Sequence, residues 1–117
     1  MSRPKPTVAM SDAEIAAFLS TCAAPAAVCV PDGKGGLVAR MARYRLDGAP
    51  AQGVSLALSG AAADLPAGDG ACVLVDTYPS YDGIRGTMLR GKLRVKSGEA
   101  RLDASRVSGF DFAKRAK

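Results

Sequence analysis

The sequence predicts a mainly β protein: an antiparallel barrel of six short strands, with an N-terminal helix and one short helical insert. Three observations carry this expectation. Hydrophobic residues make up 48% of the 117 positions, enough for one packed core in one domain and too few for two. Apolar stretches are short, alternate in places with period two, and are separated by clusters of Gly, Pro and Asp. Helical spacing is clear at only one place, near the start.

Residues 1–10 carry Arg3, Pro4, Lys5 and Pro6 and read as a flexible lead-in. Ser11 then stands three residues before Glu14, the capping-box spacing, with Met10 and Ile15 at the positions of a hydrophobic staple. Ile15, Phe18, Leu19 and Cys22 follow at i, i+3, i+4 and i+7, so about three turns of helix bury one stripe. Pro25 limits the helix.

Ala26–Val30 is a short apolar strand, and Pro31–Gly36 is a turn cluster suited to a hairpin. Leu37–Leu46 is the next strand. Its Arg40 falls on a face otherwise reading as core, so it either meets a carboxylate or an anionic ligand, or reaches water from an edge. Asp47–Gly53 is a turn region, Val54–Leu58 a strand ending at Ser59-Gly60, and Ala61–Leu65 a helical insert of little more than a turn, stopped by Pro66. Cys72–Asp76 (CVLVD) is apolar enough to be buried on both faces. Ile84–Val95 follows after a loop containing Tyr78, Pro79, Tyr81 and Asp82, and sets an arginine beside Gly86 and another beside Gly91. Glycines at such places let strands bend or approach closely. Arg101–Phe112 alternates poorly, and a last short strand is expected only over Val107–Phe112. The domain thus spans 11–113, with a basic tail at 114–117.

The formal charge is +5. Part of it lies at the two ends, and part along strands at Arg40, Arg43, Arg45, Arg85, Arg90, Lys92 and Arg94. Solvated strand faces explain the second group, and so does an anion site that uses a subset. Aromatics are 5% and Trp is absent, which leaves few platforms for stacking bases and makes nucleic acid an unfavoured partner. There is no His and no CxxC, so neither a metal site nor His-based catalysis is expected. Cys22, Cys29 and Cys72 read as small core residues of a reducing compartment. With no signal core and no run approaching ~20 apolar residues, the sequence points to a cytoplasmic protein without a membrane partner.

Three segments, taken in order, give a family resemblance. They are SDAEIAAFL (Ser11–Leu19) with the apolar strand and Pro31-Asp32-Gly33 behind it; ACVLVDTYPSYDGIRGTMLRGKLRV (Ala71–Val95); and Arg106-Val107-Ser108-Gly109-Phe110-Asp111. Together, over roughly Ser11–Lys114, the chain resembles the FMN-binding split barrels, the pyridoxamine 5′-phosphate oxidase-like group. The resemblance implies a split barrel, a homodimer, and an FMN-dependent oxidoreductase with each flavin held between two chains. It implies that Arg40, Met41, Ala42 and Arg43 line the ring and ribityl chain, that Ser59 and Gly60 lie near the phosphate, and that Arg85 or Arg90 approaches from the second chain or its neighbourhood. It marks no residue as a catalytic acid or base, and it leaves the small-molecule substrate open.

The chain also departs from the family pattern. The usual phosphate-binding Lys is not seen after Ser59-Gly60, where Ala61–Ala63 and Asp64 stand instead, and Phe110 occupies the place of a frequent Trp. The alternative reading is therefore a degenerate split barrel that lacks FMN and serves as a small-molecule-binding or structural homodimer. A deazaflavin or haem in place of FMN is also compatible with the resemblance.

Overall fold

The computed structural model describes residues 8–22, 25–47, 54–60, 65–77, 83–96 and 99–116. Its elements are α1 (Asp12–Thr21), β1 (Ala26–Pro31), β2 (Leu37–Asp47), β3 (Val54–Gly60), β4 (Gly68–Thr77), β5 (Arg85–Lys96), β6 (Glu99–Asp111) and a short 3-10 helix, Phe112–Ala116. The six strands close into an antiparallel barrel in the order β1-β2-β3-β6-β5-β4. The predicted fold class, strand number and helix position are all found. The predicted insert at Ala61–Leu65 lies outside the described residues except for Leu65, which is buried.

Period-two alternation builds the core. Val28 and Val30 of β1, Leu56 and Leu58 of β3, Val73 and Val75 of β4, Leu89 and Leu93 of β5, and Leu102 of β6 all point inward and are buried. Each such side chain contributes about 1.5–3 kcal/mol by leaving water. Thr87 shares this interior, and its hydroxyl finds no hydrogen-bond partner among the described residues.

The helix forms as its sequence dictates. The Ser11 hydroxyl accepts from the Glu14 N–H at 3.2 Å, and the Glu14 carboxylate accepts from the Ser11 N–H at 3.0 Å. These bonds, with the ammonium of Lys114 at 2.9 Å, hold the Glu14 carboxyl down from the usual 4.5 to about 2. Ile15, Phe18 and Leu19 are its buried stripe.

The helix sits where the barrel wall opens. β6 pairs with β3 only as far as Ala104, whereas it follows β5 to Asp111. The side of β6 left free beyond Ala104 is taken by residues 8–10: the Met10 N–H donates to Gly109 O at 3.0 Å, and the Asp111 N–H donates to Val8 O at 2.8 Å. Tyr44 secures the other end of the helix by donating to Leu19 O at 2.8 Å and Cys22 O at 3.2 Å. Burial first, and the adjoining Cys22 second, push its phenol well above the usual range, so it stays a donor.

Three expectations need correction. The last strand is not short: β6 runs thirteen residues from Glu99 to Asp111. Its alternation is concealed by a bulge at Ser105, where the register with β5 shifts between Arg90 and Gly91. Before the bulge the even residues Ala100, Leu102 and Ala104 face inward, opposite Val95, Leu93 and Gly91; after it the odd residues Val107 and Gly109 do so, opposite Leu89 and Thr87. Second, Cys29 and Cys72 are not core residues, because both occupy outward positions between buried neighbours and are half-buried. Third, β4 is fully buried on one face only: Ala71, Val73 and Val75 point inward, while Cys72, Leu74 and Asp76 are half-buried. At the start of the basic tail, Lys114 is bonded to Glu14 and to Ala9 O, both at 2.9 Å.

Both glycines singled out in β5 are sites of close approach. A Cβ on Gly91 would fall 1.9 Å from the Asp103 carbonyl oxygen, so the bulge accepts no larger residue. A Cβ on Gly86 would meet the Phe110 ring at 2.7 Å, so that ring lies across the outside of β5.

Candidate functional site

The bulge that conceals the alternation also builds the best candidate site. One extra residue in β6 turns Ser105 and Arg106 to the same outer face, where Arg106 stands directly opposite Arg90 of β5. The Ser105 hydroxyl donates to Arg90 O at 3.3 Å and fastens the bulge. Met88, Arg90, Ser105, Arg106, Val107 and Ser108 line an open cavity of about 510 Å³, within the 300–1,000 Å³ range of small-molecule sites.

Two like charges directly opposite each other on neighbouring strands are unfavourable. Among the described residues neither guanidinium meets a carboxylate. An anion between them removes the repulsion and gains charge-assisted hydrogen bonds from both forks, with the hydroxyl of Ser108 at hand. Met88 adds an apolar wall to this cationic corner.

The residues expected from the sequence fall into separate groups. Arg43 and Ser59 are directly opposed on β2 and β3, and both are exposed. Ala42 pairs with Gly60 one position on, but its methyl is buried inside the barrel and only its backbone remains for a ligand outside. Met41 is 57% exposed on the outer face. Arg40 is exposed too, beyond the stretch of β2 that β3 covers, and its guanidinium donates to Ala39 O at 2.8 Å. A smaller cavity of about 180 Å³, lined by Tyr44, Arg45, Ala57, Leu58, Ser59 and Glu99, adjoins the Arg43–Ser59 pair.

Of the two arginines expected from β5, only Arg90 reaches the larger cavity. Arg85 lies at the other end of the described strand with its guanidinium 5.5 Å from the centre of the Phe18 ring, a cation–π contact to the helix. Ser105, Arg106 and Ser108 were not expected as site residues. The broken alternation of Arg101–Phe112 was the signal that could have found them.

The two arginine groups are far apart within one chain. β2 and β5 are three strand steps apart whichever way the ring is followed. Along β6, seven positions separate Arg106 from Glu99, which lines the smaller cavity with Ser59, a rise of roughly 20 Å. A single small ligand does not span both groups on one protomer.

No family model and no curated protein matches the chain. Among solved structures it is similar to the conserved hypothetical protein Rv2991 from Mycobacterium tuberculosis, with a TM-score of 0.68 and 14% identity, over 100% of this chain and 94% of that one. A likeness at that identity shows a shared barrel fold and carries nothing about ligand or activity.

Proposed function

We propose that the chain is a split-barrel flavoprotein that binds FMN between the protomers of a homodimer and works as an oxidoreductase. The observation that carries this reading is the Arg90–Arg106 pair, opposed across a bulge beside a serine hydroxyl and an apolar wall. A phosphomonoester tethered to a flat, largely apolar ring matches that combination. The residues present fit the group: the guanidiniums offset the phosphate charge that the absent Lys would have met.

The separation of the two arginine groups supports a site shared between chains. In a two-fold pair that sets the β2 side of one protomer against the β5 side of its partner, Arg43 and Ser59 of one chain face Arg90 and Arg106 of the other, twice over. The outer surface between these groups is apolar enough to be covered: Leu37 is 73% exposed, Met41 57% and Met88 39%, with Ala27 and Leu74 half-buried beside them. Bound FMN supplies the electron or hydride chemistry, and the chain's part is to clamp the phosphate, orient the ring and exclude water.

The test is to purify the protein, denature it, and record the absorbance of what is released, with mass measured by sedimentation beforehand. A flavin spectrum at one per chain from a dimer is the expected result. A monomer that releases nothing and gains no thermal stability from added FMN would favour the degenerate barrel instead.

A further inference from the structure

We propose that Cys29 and Cys72 form a reversible disulfide that staples β1 to β4 at the seam where the barrel closes. The two residues are direct partners in the antiparallel register, and both belong to the outward-facing set of their strands. Direct partners have Cα atoms about 4.5–5.5 Å apart, inside the 4.4–6.8 Å range that a disulfide spans. Both thiols are free and half-buried. Cys22 is placed differently: it caps the C-terminus of α1, with its N–H donating to Phe18 O at 2.9 Å.

The location gives the bond a purpose. The β1–β4 ladder runs only from Ala27–Leu74 to Cys29–Cys72, whereas β5 and β6 stay paired from Arg85 to Lys96. Cys29–Cys72 is the terminal pair of the shorter ladder. Just before it the register of β4 with β5 is broken between Gly68 and Ala71, and Gly70 adopts φ +80. That irregularity gives β4 the slack to draw the two Cβ atoms together. The pairing lies within one chain and does not depend on the flavin reading.

The oxidant is a low-molecular-weight disulfide such as oxidised glutathione. One cysteine thiolate attacks it, forming a mixed disulfide and releasing one glutathione thiolate, which takes up the proton that the cysteine lost. The second cysteine then attacks the protein sulfur of the mixed disulfide, closes the Cys29–Cys72 bond and releases the second glutathione. Two protein thiols are oxidised and one glutathione disulfide is reduced to two thiols. A dithiol reductant reverses the sequence.

The full chain, native in one sample and refolded from denaturant in the other, is equilibrated in reduced and oxidised glutathione, trapped with an alkylating agent and mapped by mass spectrometry under non-reducing conditions. The expected product is a Cys29–Cys72 crosslink within one chain, with Cys22 alkylated. Its formation raises Tm by on the order of 10 °C, reversed by dithiothreitol. Cys22→Ser keeps crosslink and shift, and Cys29→Ser loses both. Crosslinks that use Cys22, crosslinks between chains only, or persistent glutathione adducts at both positions in the refolded sample would overturn the proposal.

Discussion

The β5–β6 hairpin and the β1–β4 seam are both antiparallel pairs of one barrel, yet they differ in almost every respect that matters. β5 and β6 pair along their described length, carry a bulge fitted around Gly91, and display Arg90, Arg106 and Arg94, the last paired with Asp103 at 2.9 Å. β1 and β4 meet over a short ladder and display Ala27, Cys29, Cys72 and Leu74. The hairpin joins strands adjacent in sequence, so its loop closure costs little entropy; the seam joins segments some forty residues apart and costs more. The lesson is that a long ladder can absorb an irregularity without losing its pairing on either side. A bulge and two opposed cations are tolerated on the long ladder, and there they make a candidate site.

The largest expected effect comes from breaking the hairpin. Gly91→Ala drives a Cβ into the Asp103 carbonyl, which as backbone cannot turn aside, and destabilises the fold by about 3 kcal/mol or more in a urea titration. Truncating the seam gives a comparison: Val73→Ala opens a cavity in the interior and costs roughly 2–3 kcal/mol by the same measurement, with no effect on anion binding. Next comes the site. Arg90→Ala and Arg106→Ala each reduce FMN affinity about 10- to 100-fold in a fluorescence titration, while denaturation midpoints hold or rise as the like-charge repulsion is relieved.

Two smaller effects test the ends of the molecule and its interior. Glu14 has its folded-state pKa lowered to about 2, so its contribution is full above the unfolded value near 4.5 and is lost as pH falls from there toward 2. Amide protection over residues 8–22, relative to the intrinsic exchange rate at each pH, should therefore fall between pH 5 and 2, and Glu14→Gln should flatten that dependence. Thr87→Val replaces a buried hydroxyl without a described partner by a methyl of the same shape, and is expected to stabilise the barrel by about 1 kcal/mol.

Much of this was legible in the sequence, for particular reasons. The helix start could be read because the Ser11–Glu14 box is local chemistry, independent of tertiary context. The first five strands were legible from apolar runs and turn residues, although β4 begins at Gly68, earlier than its apolar run suggests. β6 was not, because a single bulged residue exchanges its inward and outward sets, and a period-two reading cannot cross such a point. The site suffered the same loss. Arg90 could be named, whereas Arg106 opposite it could be found only from the register, and the separation of Arg43 from Arg90 only from the ring order. The cysteines were read as core for a related reason: apolar neighbours in sequence do not tell which side of a strand faces in.

The central claim is that the β5–β6 bulge grips the phosphate of a flavin. The most direct measurement is a paired titration of the apoprotein with FMN and with riboflavin, the same ring without the phosphate, followed by flavin fluorescence. The account predicts that FMN binds at one per chain and riboflavin at least tenfold more weakly, and that Arg90→Ala or Arg106→Ala brings the two toward equality. Equal binding of both flavins by the unaltered protein, or binding of neither, would contradict it.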